Sequence, residues 1–235
     1  YWIIIFKEFC MISLTKIPFS FDMNRLKKYL RIDADTEREE EFENIISNVQ
    51  EAGRPKALYR ESFIDEKGND TVTIEGITFT SIALRKHLDS IGRVFPYIAT
   101  CGAEVDDIKI EQGDFEVKYW ISVLKENMLE SSMQFLRNHL AEKYRLSNLS
   151  SMNPGSGDAS VWPLEQQRYL YSMCGDVEGL IGVRLTSTTM LAPEMSLSGI
   201  YFPSEVDYQS CQLCHREKCR SRMAPFNQEL WDRIK

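Results

Sequence analysis

The apolar positions of this chain change period along its length, and each change marks an element. In residues 36–52, Phe42, Ile45, Ile46 and Val49 recur at helical spacing, acidic residues crowd the first turn, and Gly53 stands where a helix ends. The acidic run 37–41 reads as the solvated start of that helix. Residues 56–64 and 71–77 are β-rich runs, and the polar stretch 65–70 between them predicts a hairpin loop. Ser81 is placed to cap a short helix through Leu88. The run Arg93–Thr100 predicts a buried strand ending at Cys101-Gly102.

Residues 114–146 then carry a long helical pattern without Gly or Pro, with Trp120, Val123, Leu124, Met128, Phe135, Leu136 and Leu140 as its apolar stripe. That stripe reads as core, and His139 on the same helix reads as a surface or packed histidine. Residues 148–160 are rich in Ser, Gly, Asn and Pro and predict a functional loop. Pro163 is placed at the first position of a helix running to about Met173. Residues 183–189 and 196–202 read as strands around Leu191-Ala-Pro-Glu194. Strands and helices alternate without a βαβ rhythm, so the expected class is α+β.

Composition narrows the class. The 235 residues carry a net charge of -7 and no basic stripe outside the C-terminal tail, which argues against nucleic-acid binding. The apolar start Tyr1-Trp-Ile-Ile-Ile-Phe6 is too short to span a bilayer and lacks a basic flank and a cleavage site. The expectation is a soluble cytoplasmic protein. Residues 1–25 are expected to be an N-terminal extension, 26–205 one α+β domain, and 206–235 a cysteine-containing segment.

That last segment holds the densest chemistry. Cys211, Cys214 and Cys219 form a C-x2-C-x4-C cluster among His215, Arg216, Lys218, Arg220 and Arg222, with Glu217 as its one acid. Two thiolates from one turn reach one metal, and a third closes the loop around it. Three thiolates suit zinc or three corners of an iron–sulfur cluster, and nearby positive charge offsets an anionic cluster. The distant candidates for a fourth ligand are Cys174 and Cys101. A disulfide, or three unligated thiols, are the other readings. Asn153-Pro-Gly-Ser-Gly157 is glycine-rich but is neither a Walker loop nor a dinucleotide fingerprint. It is either a plain turn or a ligand cradle built from backbone N–H groups.

Four segments together resemble the activation domain of cobalamin-dependent methionine synthase. They are Met152-Asn-Pro-Gly-Ser-Gly157, Trp162-Pro-Leu-Glu-Gln166, Ile181-Gly-Val-Arg-Leu-Thr186 and Pro193-Glu-Met-Ser-Leu-Ser-Gly-Ile-Tyr-Phe202. The chain is more similar still to stand-alone proteins of that family, in which the cysteine tail also occurs. Arg54-Pro-Lys-Ala-Leu-Tyr59 and residues 93–102 resemble the same group. The resemblance implies a twisted antiparallel sheet with flanking helices. It implies S-adenosylmethionine binding and docking on a corrinoid-bearing protein or methyltransferase. The role would be reductive methylation of cob(II)alamin, with electrons from a reductant or from an iron–sulfur relay in the tail. A non-catalytic corrinoid-protein binding module and an iron–sulfur electron carrier are the alternatives.

The implied ligand contacts fall on Asn153, Gly155, Ser156, Gly157 and Tyr201. Of the family's Arg-x-Ala-x-Gly-Tyr motif only Gly155 is matched, because Ser151, Asn153 and Ser156 stand at the other positions. Arg184 and Arg168 are the candidates to replace the missing arginine.

Overall fold

The computed structural model describes residues 11–110, 113–158, 160–205, 208–219 and 222–234. The apolar run at the N-terminus and Cys10 lie outside them. Strand β1 (Ile12–Leu14) leads into α1 (Met23–Leu30) and α2 (Glu37–Ala52). Then come β2 (Lys56–Tyr59), β3 (Ser62–Lys67), β4 (Thr71–Ile74), β5 (Ile77–Thr80), α3 (Ile82–His87) and β6 (Arg93–Thr100). The long α4 (Phe115–Tyr144) is followed by β7 (Leu149–Met152), α5 (Gln167–Met173) and α6 (Val177–Ile181). A small ribbon of β8 (Arg184–Leu185) and β9 (Leu191–Ala192), then β10 (Ser196–Pro203) and α7 (Gln228–Ile234), complete the chain.

All the pairings are antiparallel. The main sheet runs β1-β2-β6-β3-β4-β5, with β10 on the other side of β6 and β7 beyond it. β6 is the centre, and side-chain alternation along it explains the layers. Phe95, Tyr97 and Ala99 pack with Leu136 and Leu140 of α4. Val94 joins the cluster that holds α3, α5 and α7, and Ile98 packs with Val177 and Ile181 of α6. Both faces of the sheet are covered, so this strand reads as continuous apolar sequence rather than as an alternating one. The expected α+β class with a curled antiparallel sheet and flanking helices is what the chain adopts.

Several elements differ from the sequence expectation, each for a local reason. The run 56–64 is split into β2 and β3 opposite Pro96, which has no N–H to give the ladder. The run 71–77 is not one strand. It turns back at Glu75-Gly76, where both residues have left-handed φ (49° and 77°), the geometry of a tight hairpin. The loop 148–160 contains β7, which pairs with β10 from Leu149↔Pro203 to Met152↔Ile200. Pro163 has extended ψ (136°) and precedes a 3-10 turn, Leu164–Gln166, rather than opening α5. Only Arg184–Leu185 of the run 183–189 is strand, because Thr186 closes a tight turn on Met190. Helix α4 keeps its expected bounds to within two residues at each end, capped by Asp114 on the Val117 N–H. Its stripe is buried as read, except that Phe135 is half-buried. Within the stretch 1–25, β1 pairs with β2, and α1 buries Leu26 and Leu30 beyond its own start.

Candidate functional site

The motif residues of the loop and β10 and the cysteines of the tail turn occupy two neighbouring places. The first is the inner junction of β6, β10 and β7. Gly199 makes it possible. A Cβ there would sit 2.3 Å from Asn153 Nδ2, 2.6 Å from the Met152 carbonyl and 2.9 Å from the Tyr97 hydroxyl. In the space so left, the Asn153 amide donates to the Tyr97 hydroxyl (2.6 Å) and to the Ser198 carbonyl (2.8 Å). The Tyr97 and Tyr201 rings stack at 4.5 Å and 28°. The Ser198 hydroxyl donates to Gln167 Oε1, and the Gln167 amide in turn donates to the Thr189 carbonyl. Ser196 lies 2.7 Å from the Pro193 carbonyl and 2.9 Å from Thr100 Oγ1. The run from Pro193 to Phe202 is therefore first of all a packing motif, in which each hydroxyl and the glycine meet a neighbour.

Burial raises both tyrosines. Tyr97 is held well above its ordinary value by desolvation and then by Tyr201, with hydrogen bonds from Asn153 and Ser151 opposing. Tyr201 is raised by burial, and Arg137 of α4 pulls the other way. Tyr97 and Arg137 are residues at this junction that the sequence reading did not single out. Arg137 falls one turn after Met133, whose carbonyl lies 3.5 Å from the Tyr201 hydroxyl. A search for an arginine on the facing helix α4, rather than at Arg168 or Arg184, would have found Arg137.

The loop Asn153–Gly157 leaves few free donors. The Gly155 N–H donates to the Trp162 carbonyl (2.8 Å) and the Ser156 N–H to the Asn153 carbonyl (3.1 Å). Both glycines have left-handed φ (75° and 83°), and each lies against its own chain. A Cβ on Gly155 would stand 3.0 Å from Leu164, and one on Gly157 3.0 Å from the Ser210 carbonyl. Of the two readings of this loop, a plain turn or a cradle of N–H groups, the Gly155 and Ser156 N–H groups serve the turn. Arg168 donates to the Glu165 carbonyl of its own turn, and Arg184 is exposed on β8.

The second place adjoins this loop. The 3-10 turn Ser210–Leu213 carries Cys211 and leads to Cys214, and both thiols are partly exposed. Leu213 anchors the turn in the core beside Trp231. His215 packs on Phe226 (4.3 Å) and Trp231 (4.4 Å), and its Nδ1 lies 3.8 Å from an Asp158 carboxylate oxygen. Cys219 is exposed further along. The structure does not bring the candidate metal ligands together. Among the described residues no group of three His, Cys, Asp or Glu side chains is gathered as a metal would need. Cys101 is buried with α2 and α4, and Cys174 with α6, each thiol pushed up to about 12 by burial. His139 is packed, 3.0 Å from the Tyr59 hydroxyl, as its helical position suggested.

Among the described residues no helix is long and apolar enough to cross a membrane. No protein-family model matches the chain, and no curated protein matches it in sequence. In fold it is similar to the MetH reactivation domain, in a crystal structure of that domain bound to AdoHcy. The TM-score is 0.58 at 13% identity, over 86% of this chain and 81% of that one. An antiparallel sheet centred on β6, curled between α4 and the smaller helices, is the fold of the MetH reactivation domain.

Proposed function

We propose that this protein is a reactivation-type accessory protein for a corrinoid-dependent methyltransferase. In this reading it binds S-adenosylmethionine, or the demethylated product, against the face where β7, β10 and α4 meet. The observation that carries the reading is the fold likeness, over 86% of the chain, to a domain crystallised with AdoHcy. Ser151 stands opposite Tyr201 in the β7–β10 register, where the family motif has its arginine. Arg137, close enough to act on the Tyr201 hydroxyl, is the group that would hold the ligand carboxylate in its place. Tyr201 would form the floor beneath it. Bound there, S-adenosylmethionine would supply an electrophilic methyl group for a reduced cobalt on the partner. The chain's own part is to bind, orient and exclude water. The reductant in this reading is a separate molecule. An iron–sulfur relay in the tail would need Cys211, Cys214 and Cys219 to be drawn together.

A second reading is favoured by one observation. The Asn153 amide and the N–H groups of Gly155 and Ser156 are already paired within the protein. A module that docks on a corrinoid protein without binding the nucleotide needs none of them free.

Calorimetry on the whole protein with S-adenosylmethionine and S-adenosylhomocysteine separates the two. The first reading expects binding that Arg137→Ala weakens about tenfold, or about 1.4 kcal/mol, with the Arg137→Lys variant intermediate. It also expects methylation of a cob(II)-loaded corrinoid protein when a chemical reductant is supplied. Binding to the corrinoid protein without either nucleotide leaves the second reading. Failure of both interactions removes both.

A further inference from the structure

Two of the three cysteines, Cys211 and Cys214, share one turn, and Cys219 stands apart from it. A 3-10 turn eclipses side chains three positions apart. The Cys214 N–H donates to the Cys211 carbonyl at 3.2 Å, which puts these two cysteines at the ends of such a turn. Turn ends of this kind lie within about 7 Å, which overlaps the Cα separation that a disulfide bridges. The turn is held from several sides. Its ends are tied by reciprocal Gln209 and Gln212 hydrogen bonds, and the Asn227 N–H donates to the Gln212 carbonyl. The Arg222 guanidinium donates to the carbonyls of Cys211 (3.3 Å), Cys214 (3.2 Å) and Ala224 (3.0 Å), and also to that of Arg216.

The two thiols are not equivalent. Cys211 Sγ accepts the Met223 N–H at 3.3 Å, on the inner side of the turn. Cys214 lines an open pocket of 440 Å³ with His215, Arg216, Glu217, Arg222, Pro225 and Phe226. A partly exposed thiol at a pocket lined by Arg216, His215 and an aromatic wall, with Glu217 as its one acid and Arg222 committed to backbone carbonyls, suits a small disulfide whose carboxylate meets Arg216. The geometry points to a thiol–disulfide exchange site in which Cys214 attacks a small anionic disulfide and Cys211 resolves the product.

The chemistry balances with the disulfide as oxidant. The Cys214 thiolate attacks one sulfur of R–S–S–R, a Cys214–S–S–R bond forms, and the first RS⁻ leaves. The Cys211 thiolate then attacks Cys214 Sγ, the Cys211–Cys214 bond forms, and the second RS⁻ leaves. The two cysteine protons pass through solvent to the two departing thiolates. Two thiols are oxidised and one disulfide is reduced. The Met223 N–H holds Cys211 Sγ in place before it attacks. Gly157 lies against the carbonyl of Ser210, and Asp158 faces His215, so the oxidised turn also bears on the loop beside the candidate ligand face.

The probe is oxidised glutathione on the reduced whole protein, followed by intact mass and peptide mapping. The expected product is two hydrogens lighter, with Cys211 linked to Cys214. Cys211→Ser should trap one glutathione on Cys214, and Cys214→Ser should slow the reaction about 100-fold. Cys219→Ser should react within about twofold of the wild type. Arg216→Ala should slow the reaction with glutathione several-fold but not with the uncharged hydroxyethyl disulfide. A disulfide to Cys219, a first adduct elsewhere, or no oxidation overturns the proposal. So does stoichiometric zinc or iron held by all three cysteines in anaerobically purified protein.

Discussion

The junction of β6 with β10 and the turn at Cys211–Cys214 lie on either side of one short loop, yet they are built in opposite ways. At the junction the singled-out polar groups are paired: buried Asn153 with Tyr97 and the Ser198 carbonyl, buried Ser198 with Gln167, and half-buried Ser196 with Thr100. At the turn the backbone is held tightly while the thiols stay partly exposed. The first arrangement specifies a structure, because an unpaired buried polar group is costly. The second fixes a frame and leaves reactive atoms accessible. A residue that makes a motif recognisable therefore need not be one that touches a ligand.

The comparison breaks if the junction tolerates change or the turn does not. The largest effect is expected from Phe95→Ala, which empties a fully buried site between β6 and α4 and should cost about 3–5 kcal/mol in denaturant unfolding. Next comes a pH effect on the far face of the sheet. Burial lowers His87, its ring 4.0 Å from that of Tyr208 and tilted by 41°, from 6.5 to about 4. The unfolded chain then binds this proton more readily than the folded one. Stability is full above pH 6.5 and falls as the pH drops towards 4. The loss is at most about 3 kcal/mol, and His87→Gln should flatten that slope in unfolding measured across the same pH window. Gly199→Ala should cost about 1–3 kcal/mol, since its Cβ meets backbone and the Asn153 amide together. Cys214→Ser should change stability by less than about 0.5 kcal/mol, measured under reducing conditions. A Cys214 variant that unfolded as readily as Gly199→Ala would make the turn part of the core and remove the contrast.

How much was legible depended on the distance over which a residue finds its partner. Helices α2 and α4 and strands β6 and β10 announce themselves because their apolar spacing or density is set within each segment. Ser81 was readable as a cap, since a cap acts over three residues. Helix α1 was missed because only Leu26 and Leu30 of its eight residues are buried. Strand β7 was missed because Ser150 and Ser151 reveal their strand character only by pairing with β10. The turn at Glu75-Gly76 lacked the usual Asn or Asp before glycine. At the candidate site, Asn153 and Tyr201 were visible through a motif. Tyr97, 56 residues from Asn153, and Arg137 on the facing helix were not.

The sequence by itself determined the α+β class, the long central helix, the buried strand Arg93–Thr100 and the cysteine spacing, because each rests on periodicity or on neighbours along the chain. Tertiary structure alone decided that the Gly155 N–H pairs with the Trp162 carbonyl. It also decided that Gly199 admits Asn153 to Tyr97, and that Cys101 and Cys174 lie in separate cores away from the tail. Those outcomes are set by which surfaces meet when the sheet curls, and no local pattern carries that information.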